Sequence, residues 1–231
     1  MSHDTDMTDV DDAPPPLALP FLSKETFAVA VAGLIAQLDA CAADLRYAIK
    51  ESPYDPSDIY LEITRSIDFA PSSDTAATSV ATTDETSTLD EDDPEALPVQ
   101  SQNHNLVIHY HILLSPIYAV PTLHLTTNPP IHALSSFYDS LVPPDQRAAV
   151  AAVGVQGGIS QTEHPYLQRT CWFVHPCQTA EAMRPWVTRD GGEGGRGSGE
   201  VGVEGYLGIW LGIVGRAVGL TVPLRRGGQI A

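Results

Sequence analysis

Basic side chains are scarce in this chain: Lys and Arg number 12 against 29 Asp and Glu, and the net charge is −17. A protein that grips nucleic acid neutralises phosphates with a basic face, and nothing here supplies one; Arg225–Arg226 is too little. Long apolar runs are missing too. The most apolar stretch, Tyr206 to Leu220, is short and carries Arg216, so no transmembrane segment is expected. The first twelve residues are acidic and lack the apolar centre of a secretory leader. Cysteine is limited to Cys41, Cys171 and Cys177, an odd number without a disulfide-framework pattern. That usage suits a reducing compartment and a cytoplasmic location. The glycine-rich stretch 190–200 has no Gly-x-x-x-x-Gly-Lys-Ser/Thr pattern and reads as a flexible connector, not a phosphate cradle.

Two further segments are poor in large apolar side chains. Residues 1–20 read as a disordered N-terminal tail, and 71–98, rich in Asp, Glu, Ser and Thr, as a disordered acidic insertion in a loop. The remainder, 21–224, is enough chain for one domain of ordinary size, followed by a short tail at 225–231. The acidic segments read as solvated loops or as arms for a basic partner.

Apolar residues at Phe27, Val31, Leu34, Leu38, Cys41 and Leu45 predict one helical stripe from about Lys24 to Lys50, with Ser23 as N-cap and Cys41 buried in the stripe. Ile59 to Ile67 alternates as a strand. Leu106, Ile108, Tyr110, Ile112 and Leu114 alternate with His109 and His111, and the chain returns through Leu123 and Leu125. This predicts an antiparallel hairpin with a polar histidine face. Trp172 to Val174 is a candidate fourth strand. Short helical pieces are expected over 131–141 and 146–153, a helix over 179–188 limited by Pro185, and a final helix over 203–220. The order of elements gives an α+β domain with an antiparallel sheet of about four strands flanked by helices.

Chemistry concentrates between His164 and Cys177. Cys171 and Cys177, if extended, stand roughly 20 Å apart, too far for a disulfide. His164, Cys171, His175 and Cys177 have the ligand types for zinc, yet their spacings match no common zinc pattern. A cysteine hydrolase needs a separate histidine and an orienting group, and no signature marks them. A thioester carrier needs a rigidly placed, accessible thiol. Pro176 fixes the backbone before Cys177, and His175 is placed either to activate the thiol or to hold the loop. On these residues alone, Cys177 is a nucleophile or an inert buried thiol.

Three separated segments carry a resemblance. Gln161-Thr-Glu-His-Pro with Cys171-Trp-Phe-Val-His-Pro-Cys-Gln-Thr, His109-Tyr-His-Ile-Leu-Leu-Ser through Tyr118-Ala-Val-Pro-Thr-Leu, and Tyr206-Leu-Gly-Ile-Trp-Leu-Gly-Ile-Val-Gly through Val218-Gly-Leu resemble the autophagy-related protein 10 family. The resemblance implies an E2-like fold, the fold of ubiquitin-conjugating enzymes, and an E2-like enzyme that needs no cofactor or metal. It implies that Cys177 accepts the ubiquitin-like autophagy-related protein 12 from an E1-like activating enzyme and passes it to a lysine of autophagy-related protein 5. His-Pro-Cys also fits the sister family, autophagy-related protein 3, which transfers autophagy-related protein 8 to phosphatidylethanolamine. A non-catalytic binding module on the same fold is a further alternative. Ordinary ubiquitin-conjugating enzymes place Asn where Cys177 stands, so oxyanion donors must come from elsewhere. Tyr110 and Asn105 are the candidates, and the His109/His111 face is a candidate surface for modifier or acceptor.

Overall fold

Hydrogen-bonded pairing of the alternating segments sets the architecture. In a computed structural model, residues 18–42, 44–69, 104–153, 158–187 and 202–222 are described. The expected acidic insertion, the glycine-rich connector and the C-terminal tail lie outside those residues. So does most of the expected N-terminal tail, but its last residues are placed: Leu19 packs on the core and the Pro20 carbonyl accepts the Tyr206 hydroxyl at 2.7 Å.

A first helix, α1 (Lys24–Cys41), is followed by four strands, β1 (Arg46–Glu51), β2 (Ile59–Phe69), β3 (His104–Leu114) and β4 (Pro121–Asn128). Two short helices come next, α2 (Leu134–Leu141) and α3 (Pro144–Val153). A second hairpin, β5 (Ile159–Glu163) and β6 (Thr170–Val174), precedes α4 (Thr179–Val187) and α5 (Val203–Val214). The strands form one antiparallel sheet in the order β1-β2-β3-β4-β6-β5.

The sheet therefore has six strands where about four were expected. Arg46–Glu51 leaves the predicted helix and pairs with β2, Tyr47 opposite Ile63 and Ile49 opposite Leu61. A strand partner outweighs the weak helical preference of this stretch, because ladder bonds and packing exceed single-residue propensities. Ending α1 at Cys41 also turns that thiol outward, and Cys41 is exposed where the stripe predicted burial. At the other end of α1, Ser23 caps as expected. Its hydroxyl accepts the Thr26 N–H at 3.2 Å, and Thr26 Oγ1 accepts the Ser23 N–H at 2.7 Å.

Helices α1 and α5 cover one face of the sheet. Phe27, Val31, Leu34 and Leu38 meet Tyr206, Leu207, Trp210 and Leu211 above Ile63, Ile108, Ile112 and Leu123. The two helices touch backbone to backbone at Gly33, where an added Cβ would lie 2.1 Å from the Glu204 carbonyl oxygen. In an open helix Gly→Ala adds about 0.5–1 kcal/mol of stability. Here the sign reverses: Gly33→Ala is expected to cost about 1–3 kcal/mol through overpacking, read as a lowered urea midpoint with an unchanged m-value.

Candidate active site

Cys177 sits where a strand hands over to a helix. The β6 pairings end at Val174, opposite Leu123 on one side and Ile159 on the other, and one further bond joins the His175 N–H to the Gly158 carbonyl at 3.3 Å. Pro176, with no N–H to satisfy, opens a single 3₁₀ turn over Pro176–Gln178, and α4 begins immediately after it. Pro176 and Met183 are buried and Cys177 is exposed, so a fixed backbone presents the thiol at the surface. Cys177 is therefore not a buried thiol.

His175 Nδ1 accepts the Cys177 N–H at 3.2 Å, which places this ring as the cap of the Cys177 turn and leaves its proton on Nε2. The ring lies between Phe173 and Tyr118, at centroid distances of 5.8 and 6.0 Å. Tyr118 is on the β3–β4 turn, half exposed, its N–H bonded to Ser115 Oγ at 3.2 Å. The turn is further tied down by Ala119, left-handed at φ 51°, whose carbonyl accepts the Leu22 N–H at 2.7 Å. Tyr118 was missed from the sequence. The signal was there: register puts the tip of the first hairpin level with the end of β6.

The other two expected donors stand elsewhere. Tyr110 is fully buried on the helix side, and its hydroxyl donates to the Val218 carbonyl at 3.0 Å. Burial also raises its pKa. The Val218 carbonyl is presented by the Val-Gly-Leu ending: Gly219 is left-handed at φ 72°, and a Cβ there would meet the Leu141 carbonyl at 2.8 Å. Asn105 pairs with Asp68, seven residues back along β3 from Ile112, which shares a row with Val174. At about 3.3 Å per residue that is roughly 23 Å towards the far end of the sheet. Neither is brought to the thiol.

The opposite sheet face also departs from expectation. His111 is fully buried there and not open to a partner, while His109 is half-buried with Nδ1 3.3 Å from Thr64 Oγ1. The cover is the β5–β6 turn. His164 closes it: Nδ1 accepts the N–H groups of Tyr166 and Leu167 at 3.1 and 3.2 Å. With Nδ1 an acceptor, His164 Nε2–H donates to His111 Nδ1 at 2.9 Å, and His111 Nε2–H donates to Glu62 at 3.1 Å. The Glu-His-Pro segment is thus a clasp that fastens the β5–β6 hairpin to the middle of the sheet. His124 lies beside it, 4% exposed, with Nδ1 lacking a hydrogen-bond partner. Cys171 is buried on the same face, and burial pushes its thiol up to about 11. Among the described residues, no group of three or more His, Cys, Asp or Glu is placed to hold a metal ion. No described helix is long and apolar enough to cross a membrane.

The model of the family described as autophagocytosis associated protein, active-site domain, matches residues 26–225. The chain belongs to this family. It is similar to the ubiquitin-like-conjugating enzyme ATG10 of Gibberella zeae, 34% identical over 122 residues, which are 51% of this chain and 46% of the relative. The human enzyme of the same name is 30% identical over 143 residues, 58% of each chain, and that of Arabidopsis thaliana 35% over 66 residues, 29% and 28%. The chain spans about half the length of the first two relatives. An α+β fold with an antiparallel sheet fits this family, and both the hairpin and the Cys177 turn fall inside the matched region.

Burial holds His111 and His124 neutral, with pKa values lowered to about 3, and His164 to about 4; neighbouring histidines and Arg169 add to the effect. In the unfolded chain these groups titrate near 6.5, so between the two values the unfolded state binds more protons and stability falls as the pH is lowered. The contribution is complete above pH 6.5 and is lost progressively towards pH 3–4. At pH 5 each such histidine removes about 2 kcal/mol. Urea midpoints measured from pH 7.5 to 5.0 are expected to drop steeply, and His124→Leu, which replaces an unpaired buried imidazole, to flatten that slope.

Proposed function

We propose that this chain is an E2-like enzyme of autophagy that carries a ubiquitin-like modifier as a thioester on Cys177. The observation that carries the reading is one exposed cysteine on a backbone-locked turn at the end of a sheet strand, in a chain of the autophagocytosis active-site family. The Cys177 thiolate attacks the thioester joining the modifier's terminal glycine to the E1-like activating enzyme, and the activating enzyme's thiolate leaves. An acceptor lysine then attacks the new thioester carbonyl. Cys177 departs as thiolate, the amine loses a proton, and an isopeptide bond remains. The resemblance to the autophagy-related protein 10 family supports autophagy-related protein 12 as modifier and autophagy-related protein 5 as acceptor, and the sparse cysteines support a cytoplasmic setting.

In both steps charge develops on the carbonyl oxygen, and a donor about 3 Å away lowers the barrier. Tyr118 supports this role better than Tyr110 or Asn105, since its half-exposed phenol stands against the His175 ring that caps the nucleophile. Its hydroxyl donates a hydrogen bond to the oxyanion and keeps its proton throughout, staying neutral.

The test is a charging assay with the activating enzyme, ATP and autophagy-related protein 12, resolved on a non-reducing gel. A thiol-sensitive adduct is expected in the native chain, in Cys41→Ala and in Cys171→Ala, and none in Cys177→Ala. No adduct with active partners would leave the chain a binding module on this fold. For the phenol, Tyr118→Phe is expected to slow isopeptide formation by roughly 10–100-fold with Cys177 alkylation unchanged. An unaltered rate would remove Tyr118 from the chemistry.

A further inference from the structure

The hydrogen bonds behind the β5–β6 turn run in one direction, and each depends on where a single proton sits. His164 Nδ1 is taken up by the Tyr166 and Leu167 N–H groups at 3.1 and 3.2 Å, so its own proton stands on Nε2. That proton needs an acceptor, and His111 Nδ1 lies 2.9 Å away. His111 accepts there only as the tautomer protonated on Nε2. The Glu62 carboxylate, 3.1 Å beyond, accepts from Nε2 and so selects that tautomer. Burial keeps both imidazoles neutral, as this order of donors and acceptors requires. Tyr60 stands edge-on to both rings, at centroid distances of 5.5 and 6.1 Å, and fixes their angle. A carboxylate on β2 thereby sets the proton that ties down the turn of another hairpin.

What that hairpin carries gives the chain of bonds a consequence at Cys177. Strand β6 meets β4 through three residue pairs, the last of them at Val174. His175 and Pro176 alone separate Val174 from Cys177. A hairpin held by so short a seam pivots about it unless its turn is fastened. The pivot swings the Cys177 turn as well, because Pro176 stiffens the link between them. We infer that Glu62, His111 and His164 form a positioning network, which holds β6 at the level where Cys177 meets the thioester of the incoming modifier. The inference rests on the thioester reading and adds to it residues that never touch the reacting atoms. Misplacing a reacting group by about 1 Å can slow a reaction about a hundredfold. The network therefore matters more to turnover than to global stability.

Cys171, buried on β6, reports the hairpin directly. In a Cys41→Ser, Cys177→Ser chain it is the one thiol left, and its alkylation by iodoacetamide measures opening of the hairpin. Charging of the full chain, with Cys177 in place, by activating enzyme, ATP and autophagy-related protein 12 gives kcat and the KM for the activating enzyme. Four variants are compared where urea curves show each fully folded: His164→Gln, His164→Asn, Glu62→Gln and Glu62→Leu. Gln places an N–H where His carries Nε2, and Asn an acceptor where His carries Nδ1, so the pair separates the link to His111 from the cap of the turn. Glu62→Gln also removes the charge that faces Lys50 at 3.9 Å, so comparison with Glu62→Leu isolates the acceptor. The expected result is roughly tenfold faster alkylation of Cys171 and a roughly tenfold lower kcat in His164→Asn and Glu62→Leu, with KM unchanged. His164→Gln and Glu62→Gln, which keep the link and the acceptor, stay within about threefold of the native chain. Alkylation of Cys171 at the native rate in every variant overturns the network, because the hairpin is then held without it. Faster alkylation with native kcat, or a change confined to KM, overturns the positioning role and leaves the carrier function standing. Equal losses in His164→Gln and His164→Asn overturn the part assigned to the link. A native chain that does not charge overturns the carrier reading and the positioning role with it.

Discussion

The ribbon that presents Cys177 is joined to the rest of the sheet by three residue pairs, Leu123 with Val174, His124 with Phe173 and Leu125 with Trp172. Everything at the site depends on that short seam. It sets the level of the Cys177 turn against the β3–β4 tip, and so brings His175 against Tyr118. A slip by one residue would exchange the two faces of β6 and move Trp172 out of its place against Phe137, 4.4 Å away ring to ring. Three pairs are few, and the seam is reinforced from behind by the hydrogen bond between His164 and His111. Rigidity next to the Cys177 thiol thus draws on a buried polar chain.

That arrangement explains why both faces of the sheet are filled. On one side the α1–α5 layer packs apolar side chains and absorbs the Tyr110 hydroxyl into the Val218 carbonyl. On the other the β5–β6 turn covers imidazoles that satisfy one another in a fixed direction, from backbone N–H through His164 and His111 to Glu62. Satisfied buried polar groups define a unique arrangement where apolar packing alone tolerates several. The cost is sensitivity to acid.

Much of this was legible in the sequence, and the failures share a cause. The β3–β4 hairpin was readable because Leu106, Ile108, Tyr110 and Ile112 alternate without interruption, and α5 because its apolar residues recur at helical spacing. Cys177 stood out because proline precedes it and the surrounding segment resembles a known family. Arg46–Glu51 was misread since a stretch that follows directly on an apolar stripe looks helical until a partner strand is known. Ile159–Glu163 carries a single large apolar residue and gives almost no periodic signal. The histidines on β3 looked solvent-facing because alternation reports which residues share a face, not whether a later hairpin closes over it. Tyr110 failed as a donor for the same reason: its partner lies more than a hundred residues further along the chain.

The rung between Phe69 and His104 closes the ladder of β2 and β3 at the end remote from the nucleophile. The chain therefore departs and returns at neighbouring points, roughly 27 Å along β3 from the row that Ile112 shares with Val174. Closing a loop between fixed neighbours costs little more as the loop lengthens, since the entropy grows only with the logarithm of its length. The rung fixes both ends of the chain at this point, so whatever spans them meets the geometry around Cys177 only through two anchored positions at the opposite end of the sheet.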